Sequence, residues 1–538
     1  MTTVAEVLVS EIKAAGVDVV FGLPGGENVH VMDALRRAGI RFVLVRNESS
    51  ALFMADATAR LTGRPGVALA TLGPGAANAL AGVAHAHLDR APVLVITAET
   101  PASVLTYHTH QVIDLGALFG PITKASFQVR ADNVTMIVPH ALRLTQERRP
   151  GPVHLRLSNE EANLPAHSSA QAPNPPTSAQ EAAPPAALTA ARALLARARR
   201  PVIVAGVGLE PEQPYAALRE LAEAAAAPVI VTPKAKGALP DNHPLAAGVI
   251  GLTRTDPAYA ILDEADAIVA VGFDVVELVK PWQETKPLLW IAPWANDDPP
   301  LAAAVEFVGA MEPVLLQLAD GEYHGEPTWG EARVAAHRAW LADRSLPSPT
   351  PGRMQPQGVL RALRRIAPPD LLVATDVGSH KILAALEWPA LAPNRYLLSN
   401  GLSCMGYAIP AAIAASLALG GAATVALTGD AGFGMAVGEL ALLNELGTPV
   451  VVIVCNDSAL DLIRSAQTRA GKATYGTEFA NPDFLQIAAA YGLDAARVAS
   501  EAECAVAIAQ ALAAGRPCLI EALIDPVSYP TTPREHGR

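Results

Sequence analysis

Two apolar runs that each end in a polar cluster constrain the fold of this chain more than any other feature. The run at 424–428 leads into Gly429-Asp430-Ala431, and the run at 449–455 leads into Asn456-Asp457. Between them lie residues 438–446, whose pattern is typical of one helix. This order predicts a βαβ unit with polar groups at the carboxyl ends of two parallel strands, which is where open α/β sheets bind ligands.

The two acidic residues of this unit have the spacing expected of a shared cation site. Asp430 and Asp457 are 27 positions apart (457 − 430 = 27), which is one crossover. Their carboxylates can therefore meet on one hard cation, because such cations take oxygen ligands. Gly432 and Gly434 leave room for a phosphate near the start of the helix.

Composition indicates a globular protein of several domains. A length of 538 residues predicts roughly two to four domains, and 51% hydrophobic against 17% charged residues excludes a disordered chain. The net charge of −12 forms no basic stripe, which weighs against nucleic acid, and no apolar run approaches a membrane span. The N-terminus lacks the pattern of a signal peptide. The cysteines have no paired spacing, which favours a reducing cytoplasm and no zinc site: Cys404, Cys455, Cys504 and Cys518.

Two proline-rich stretches, at 164–188 and 345–357, indicate linkers that divide the chain into three segments. The predicted domains are 1–163, 186–343 and 356–538. Each segment alternates continuous apolar runs with helical patterns, which predicts three doubly wound α/β domains with parallel sheets. The remaining runs that predict strands are 42–45, 67–70, 93–96, 201–204, 228–231, 267–271, 288–291 and 371–374.

With these motifs, the chain resembles the thiamin-diphosphate enzymes of the acetolactate synthase type over nearly its whole length. Those enzymes have pyrimidine-binding, central Rossmann-like and diphosphate-binding domains in that order. They carry Gly-Asp-Gly and, about 27 positions later, an Asn that completes a magnesium site. The resemblance implies thiamin diphosphate and Mg²⁺ as cofactors. The implied metal ligands are Asp430, Asp457 and the Ala459 carbonyl, with Gly429, Ala431 and Gly432 beside the diphosphate.

This chain departs from the family pattern at two of those positions. Ala431 replaces the second glycine, so a methyl group must fit near the diphosphate, and Asp457 replaces the usual Asn. A carboxylate is still a good ligand for Mg²⁺.

Glu48 follows the run at 42–45 and precedes a predicted helix at 49–60. A glutamate at a helix start is usually only an electrostatic cap. In the family, a glutamate in this context hydrogen-bonds the aminopyrimidine ring and promotes its imino tautomer, which then removes the C2 proton of the thiazolium. Such a glutamate must be largely buried, and apolar Ala51, Leu52 and Met54 favour that.

Further matches place other residues around the cofactor. Met405 stands where the family has the large apolar residue that separates the two cofactor rings, although a Met is more often core filling. The Ser403 carbonyl would hold the pyrimidine amino group, at a position where the family more often has Gly. Ser379 and His380 match the residues that donate to the diphosphate, in what is otherwise an ordinary strand-to-helix turn.

The first segment matches the family near the pyrimidine ring and the reaction centre. Gly73, Pro74 and Asn78 belong to the motif beside the pyrimidine, and Gly26 lies in a loop near the reacting atoms. Gln111 matches the glutamine near C2. The synthases usually have Phe where this chain has His110. Histidine is a residue type suited to acid–base work, but a solvated loop histidine is equally consistent with this position.

The middle and last segments bear on flavin and substrate. Only Gly206 and Gly208 fit a dinucleotide fingerprint, and 272–277 resembles the flavin-independent branch, so FAD is not expected. The tryptophan that favours larger acceptors in biosynthetic enzymes is absent near Ala466. Arg464 or Arg254 could pair with a substrate carboxylate, but a solvated surface arginine is the commoner case.

The resemblance implies decarboxylation of a pyruvate-like 2-oxo acid and carboligation to a second one, with 2-acetolactate as product. It also implies a homodimer or homotetramer in which Glu48 and Asp430 act from different subunits. One alternative is a decarboxylase that releases an aldehyde, although that branch often has adjacent histidines and Thr109 separates His108 from His110 here. Another is a non-catalytic paralogue, which Ala431 and Asp457 suggest and which Glu48 and Met405 oppose.

Overall fold

A computed structural model of the chain describes residues 2–167, 184–210, 212–298, 300–344 and 346–529. Within these ranges the chain forms three six-stranded sheets whose paired strands run parallel, which confirms the predicted α/β class. One compact unit, the first unit, holds the first sheet together with residues 402–422 and 434–450, and the second unit holds the other two sheets. No described helix is both long and apolar enough to cross a membrane.

The first sheet has the strand order β2-β1-β3-β4-β6-β5, so the carboxyl ends of β2, β1 and β3 are neighbours. Its aliphatic core packs one face of the sheet against α1, α2 and α6. The elements are α1 (Val4–Ala14), β1 (Val19–Leu23), α2 (Val29–Ala38), β2 (Arg41–Leu44), α3 (Glu48–Thr62), β3 (Gly66–Ala70), α4 (Pro74–Leu88), β4 (Val93–Glu99), α5 (Leu115–Phe119), β5 (Ser126–Gln128), α6 (Val134–Gln146), β6 (Val153–Ser158) and α7 (Asn159–Asn163).

The second sheet has the order β12-β11-β10-β7-β8-β9. Its central strands are buried along their whole length, as continuous apolar runs require. The elements are α8 (Pro185–Arg197), β7 (Pro201–Ala205), α9 (Tyr215–Ala224), β8 (Val229–Val231), β9 (Ala246–Val249), α10 (Tyr259–Glu264), β10 (Ala267–Val271), β11 (Leu288–Ala292), β12 (Ala303–Val308), α11 (Glu312–Ala319) and α12 (Glu331–Ala342).

The third sheet has the order β14-β13-β15-β16-β18-β17, which makes β13, β15 and β16 neighbours. One apolar cluster is continuous between the second and third sheets. The elements are α13 (Pro356–Ile366), β13 (Leu372–Thr375), α14 (Ser379–Glu387), β14 (Tyr396–Leu398), α15 (Ala408–Ala418), β15 (Thr424–Gly429), α16 (Asp430–Ala436), α17 (Leu440–Leu446), β16 (Val450–Asn456), α18 (Asp461–Arg469), α19 (Phe484–Ala490), β17 (Asp494–Val498), α20 (Glu501–Ala514) and β18 (Cys518–Leu523).

All ten strands predicted from apolar runs are present, each beginning within one residue of the predicted start. The helix predicted at 49–60 is also confirmed, as α3. The helix predicted at 438–446 is present as α17, which begins two residues later, after the 3₁₀ turn Val437–Glu439. The further helix α16, which begins directly at Asp430, was not predicted. The Asp430 carboxylate accepts the Ala431 N–H at 2.8 Å, so it provides a hydrogen-bond acceptor for a backbone amide at the start of α16.

The two predicted linkers are partly structured. Residues 185–188 form the first turn of α8, with Pro185 at its first position, where proline costs no hydrogen bond. Residues 168–183 of that linker lie outside the described part of the chain. The second linker ends at α13, which begins at Pro356.

A buried polar network joins three helices of the first unit. Asp56 in α3 accepts from Arg60 at 2.9 Å and from the hydroxyl of Tyr407 at 2.8 Å. His85 in α4 lies between Asp56, at 3.1 Å, and Asp89, at 3.2 Å. The network therefore fixes α3 and α4 against the start of α15, because buried charges are retained only when fully paired.

Candidate functional site

In the first unit, the turns that follow β1 and β3 are bonded to each other. The Gly25 N–H donates to Asn28 at 2.9 Å, and the buried Asn28 amide donates to the Ala70 carbonyl at the end of β3. The next residue, Thr71, donates its hydroxyl to Glu27 at 2.8 Å. Gly26 faces open space beside them. Sequence reasoning missed Glu27, because a carboxylate in a turn carries no signal of its own.

Glu48 is the first residue of α3, and its side chain is buried, with 6% of the residue exposed. The N-cap is Asn47, whose side chain accepts the Ser49 N–H at 2.9 Å. The Glu48 carboxylate instead accepts from the Asn78 amide at 3.2 Å. A Cβ added at Gly75 would lie 3.1 Å from it, so the glycine keeps the space in front of the carboxylate open. Since Asn47 already caps the helix, Glu48 is available for chemistry.

Gly73 and Gln111 are brought together at the start of α4. Gly73 has φ 55° and ψ −111°, a conformation that only glycine adopts readily. A Cβ at Gly73 would lie 2.7 Å from the Gln111 Cβ, so the missing side chain lets Gln111 approach the turn. Gln111 is itself exposed and has φ 59°. His110, also exposed, has its ring 6.4 Å from that of His108 in an edge-on arrangement.

Met405 lies in the turn before α15 and is half-buried. Ser403 in that turn has φ 55°, a left-handed conformation that explains why glycine is favoured there. The neighbours of Met405 contact α3 and α4 away from the start of α3, where Glu48 lies. Tyr407 contacts Asp56, and the Cys404 thiol lies 3.6 Å from the Ala81 carbonyl. Both contacts are two helical turns, about 12 Å, past the starts of α3 and α4.

In the second unit, Asp430 joins the ends of β15 and β16. One carboxylate oxygen accepts the Ser458 N–H at 2.7 Å and the Asn481 amide at 2.8 Å. Burial raises the pKa of Asp430, and the hydrogen bonds from Asn481, Ala431 and Ser458 oppose that shift. Asn481 also donates to Asn456 at 3.0 Å. Sequence reasoning missed Asn481 because it lies in a loop far along the chain from both aspartates.

Asp457 is a partly buried carboxyl that lies close to two other carboxylates, those of Asp430 and Asp461. Burial and the neighbouring carboxylates of Asp430 and Asp461 together raise its pKa to about 7. Its side chain accepts the Ala459 N–H at 3.2 Å. Carboxylates that repel one another in a buried place are stabilised by a divalent cation.

The predicted diphosphate residues surround a buried imidazole. A Cβ at Gly378 would lie 2.6 Å from the His380 ring, and one at Gly429 would lie 3.0 Å from it. Burial and nearby Lys381 lower the pKa of His380 to about 4, so the ring is neutral at pH 7. Its Nε2 atom is buried without a hydrogen-bond partner among the described residues. The Ser379 hydroxyl donates to Asp461 at 2.7 Å.

These features fit a magnesium diphosphate. Asp430 and Asp457 provide hard oxygen ligands at adjacent strand ends, with the Ala459 carbonyl two residues on. The His380 Nε2 atom, which has no hydrogen-bond partner among the described residues, can donate to a phosphate oxygen once an anionic diphosphate raises the pKa of the ring and protonates it. Ala431 lies within α16, so its methyl group causes no backbone strain. The described residues contain no group of three or more His, Cys, Asp or Glu side chains placed to hold a metal, and the proposed site uses only two carboxylates.

The two glycines of the central segment have a packing role in the described structure. A Cβ at Gly208 would lie 2.5 Å from the Trp294 ring, and one at Gly206 would lie 2.7 Å from Phe273. The Gly208 N–H donates to the Gly272 carbonyl at 2.6 Å. These contacts account for the partial dinucleotide fingerprint, and the expectation that FAD is not bound stays a prediction.

The two candidate substrate arginines differ in their surroundings. Arg464 pairs with Asp461 at 2.9 Å, so its charge is already partly neutralised. Arg254 is exposed. Neither position identifies a carboxylate-binding site.

Three family models for thiamine pyrophosphate enzymes match this chain. The N-terminal TPP binding domain matches residues 2–118, the central domain 188–315 and the C-terminal TPP binding domain 376–522. The probable acetolactate synthase large subunit of Methanocaldococcus jannaschii is 30% identical over 97% of this chain and 92% of its own length. The acetolactate synthase isozyme 1 large subunit of Escherichia coli is 31% identical, over 99% and 96%. The acetolactate synthase of Bacillus subtilis is 30% identical, over 97% and 93%.

Proposed function

Because the chain belongs to the thiamine pyrophosphate enzyme family that includes the acetolactate synthase large subunits, we propose that it decarboxylates a pyruvate-like 2-oxo acid and joins the remaining acyl group to a second 2-oxo acid. The observation that carries this proposal is the buried Glu48 carboxylate, which faces Gly75 and Asn78 while Asn47 caps its helix. Bound thiamin diphosphate supplies the nucleophile and the electron sink.

The residues of this chain have separate tasks. Glu48 holds a proton at the pyrimidine ring, and the turn of Gly73 and Pro74 supports that ring. Gln111 and Gly26 border the reacting atoms, while Met405 and the Ser403 carbonyl orient the cofactor rings. Asp430, Asp457 and the Ala459 carbonyl hold Mg²⁺. The residues that would hold the diphosphate are Gly429, Ala431, Gly432, Ser379 and His380.

The domain ranges and the assembly are part of the same proposal. We assign 1–163 to the pyrimidine-binding domain, 186–343 to the central domain and 356–538 to the diphosphate-binding domain. Each range contains one six-stranded sheet, which supports the assignment. Cys404 and Tyr407, on either side of Met405, contact α4 and α3 away from Glu48, which supports a homodimer or homotetramer in which a second copy completes each site. None of the four cysteines, all in the described part of the chain, forms a disulfide, which supports a cytoplasmic location.

A product assay tests the reaction. Purified protein with Mg²⁺, thiamin diphosphate and pyruvate is expected to release CO₂ and form acetolactate. Acetaldehyde as the only product would instead establish a decarboxylase. If neither acetolactate nor acetaldehyde forms although a titration shows that the cofactor binds, pyruvate is excluded as the donor. Flavin absorbance in the purified protein would contradict the expectation that FAD is not bound.

The pH dependence of magnesium binding tests the role of Asp457. Its ordinary pKa of 3.8 rises to about 7 in the folded, cofactor-free protein. The folded state therefore binds this proton more tightly than the unfolded chain, so this group's contribution to stability falls as pH rises from about 4 to about 7. Mg²⁺ must displace the same proton, so its affinity should fall up to about tenfold per pH unit below pH 7. Calorimetric titrations from pH 5.5 to pH 8 should show this slope in the wild type and a flatter one in Asp457→Asn, and equal slopes would contradict it.

A further inference from the structure

Glu439 lies outside every motif that predicts the site, yet its carboxylate contacts the start of α3. It ends the 3₁₀ turn Val437–Glu439, between α16 and α17, and only 1% of the residue is exposed. Both carboxylate oxygens accept the backbone N–H of Arg46, at 3.1 and 3.2 Å. Arg46 directly precedes Asn47, the N-cap of the helix that begins with Glu48.

Further hydrogen bonds extend this contact into the helix. Burial raises the pKa of Glu439, while hydrogen bonds from the Ser50 hydroxyl and from the Arg46 and Asn47 amides oppose the shift. Ser50 is itself buried. One carboxylate thus binds residues before and after Glu48, and a buried carboxylate bound in this way tolerates little displacement.

The chain around Glu439 approaches Arg46 closely as well. A Cβ added at Gly438 would lie 3.2 Å from the Arg46 Cβ, so the glycine lets the two segments approach without displacing Arg46. The Arg46 side chain pairs with Glu445 on α17, where both side chains are substantially exposed. The contact therefore has a buried part, made by Glu439 to the backbone, and an exposed part, made by Glu445 to the side chain.

The buried part determines where Glu48 can point. Free amides at a helix start attract carboxylates, and a glutamate at the first position would ordinarily turn toward them. Here Glu439 occupies the amides of Arg46 and Asn47, and the Asn47 side chain occupies that of Ser49. The Glu48 carboxylate is left to accept from Asn78.

We propose that Glu439 is a positioning residue that holds the Glu48 carboxylate toward the cofactor's pyrimidine ring. This inference rests on the proposed function, because Glu48 must act on that ring. Glu439 follows the proposed metal ligand Asp430 in the chain. The segment after Asp430 of one subunit therefore positions Glu48 of that same subunit.

Two measurements on Glu439→Ala and Glu439→Gln test the positioning role. In the cofactor-free protein, amide hydrogen exchange of a peptide spanning 46–50 should be faster in Glu439→Ala and intermediate in Glu439→Gln, which keeps one acceptor oxygen. In the loaded enzyme, exchange of the C2 hydrogen of bound thiamin diphosphate and kcat should both fall by about 10²-fold in Glu439→Ala, the cost of a misplaced catalytic group. The KM for pyruvate and the cofactor affinity should change less than about threefold.

Glu445→Ala is the matched control, because it removes the other acidic partner of Arg46 at an exposed position. It should leave amide exchange at 46–50 and C2 hydrogen exchange as in the wild type. If Glu439→Ala does not fold, amide exchange at 46–50 and C2 hydrogen exchange are compared between Glu439→Gln and Glu445→Ala. The positioning role requires a change in Glu439→Gln only. If the wild type exchanges the C2 hydrogen and the Glu439 variants exchange it equally fast, the positioning role is overturned while the proposed function stands. Absence of C2 exchange in the wild type would overturn the proposed function instead.

Discussion

Replacement of Glu48 by glutamine is expected to lower the rate of acetolactate formation by about 10²–10⁴-fold, the usual contribution of a positioned acid–base group. Glutamine has nearly the same shape and can still accept from Asn78, which lies 3.2 Å from the Glu48 carboxylate. It cannot hold or release a proton at the pyrimidine ring. The affinity for thiamin diphosphate should therefore stay within a few-fold of the wild type. Steady-state product analysis and a cofactor titration measure the two quantities.

Glu27→Gln is the appropriate comparison, because Glu27 belongs to the same group of turns and glutamine can still accept the Thr71 hydroxyl, which lies 2.8 Å away. We expect this variant to lose less than about tenfold in rate, since it keeps the hydrogen bond. Wild-type rates in Glu48→Gln would exclude Glu48 as the catalytic glutamate. Equal losses in both variants would indicate a general electrostatic effect.

Replacement of Asp430 by asparagine is expected to weaken thiamin diphosphate binding in the presence of Mg²⁺ by about 100-fold, or about 2.7 kcal/mol. Asparagine keeps one oxygen but removes the charge that the metal requires. It also disturbs the contacts to Ser458 and Asn481, which join the ends of β15 and β16. Isothermal titration with and without a chelator separates metal-dependent from metal-independent binding.

Asp483→Asn provides the control for Asp430→Asn, since Asp483 caps α19 through the Leu485 N–H and asparagine is an equally good cap. It should bind the cofactor like the wild type. If the chelator abolishes binding to the wild type while Asp430→Asn binds normally, the metal is held elsewhere. If the chelator has no effect on the wild type, binding does not require a divalent metal.

Much of the fold could be predicted because buried parallel strands have a strong local signal. Strands such as β7, β10 and β11 are uninterrupted apolar runs, which few other structures accommodate. Among the strands that were not predicted is β17, Asp494–Val498, in which only Val498 is buried. Such a strand obtains its conformation from pairing with its neighbour β18.

The site was predictable to the extent that its residues follow strands or begin helices. Glu48, Asp430 and Asp457 all stand at such ends, where chain order and strand adjacency bring side chains together. Asn481 and Glu439 were not predicted. Asn481 contacts Asp430 from a loop, and Glu439 contacts Arg46 although the two are far apart in the chain. No local pattern encodes a contact of that kind.

The sequence by itself determined the α/β class, the strands with continuous apolar runs and the polar strand ends where a cofactor can bind, because these depend on local periodicity and on spacing within one crossover. Only the tertiary structure decided that α16 begins at Asp430, that the Glu48 carboxylate turns to Asn78, and that Glu439 holds the start of its helix. Those features depend on which polar groups meet after folding. Burial makes each unpaired polar group costly, so the final hydrogen-bond partners are chosen by the whole packed molecule.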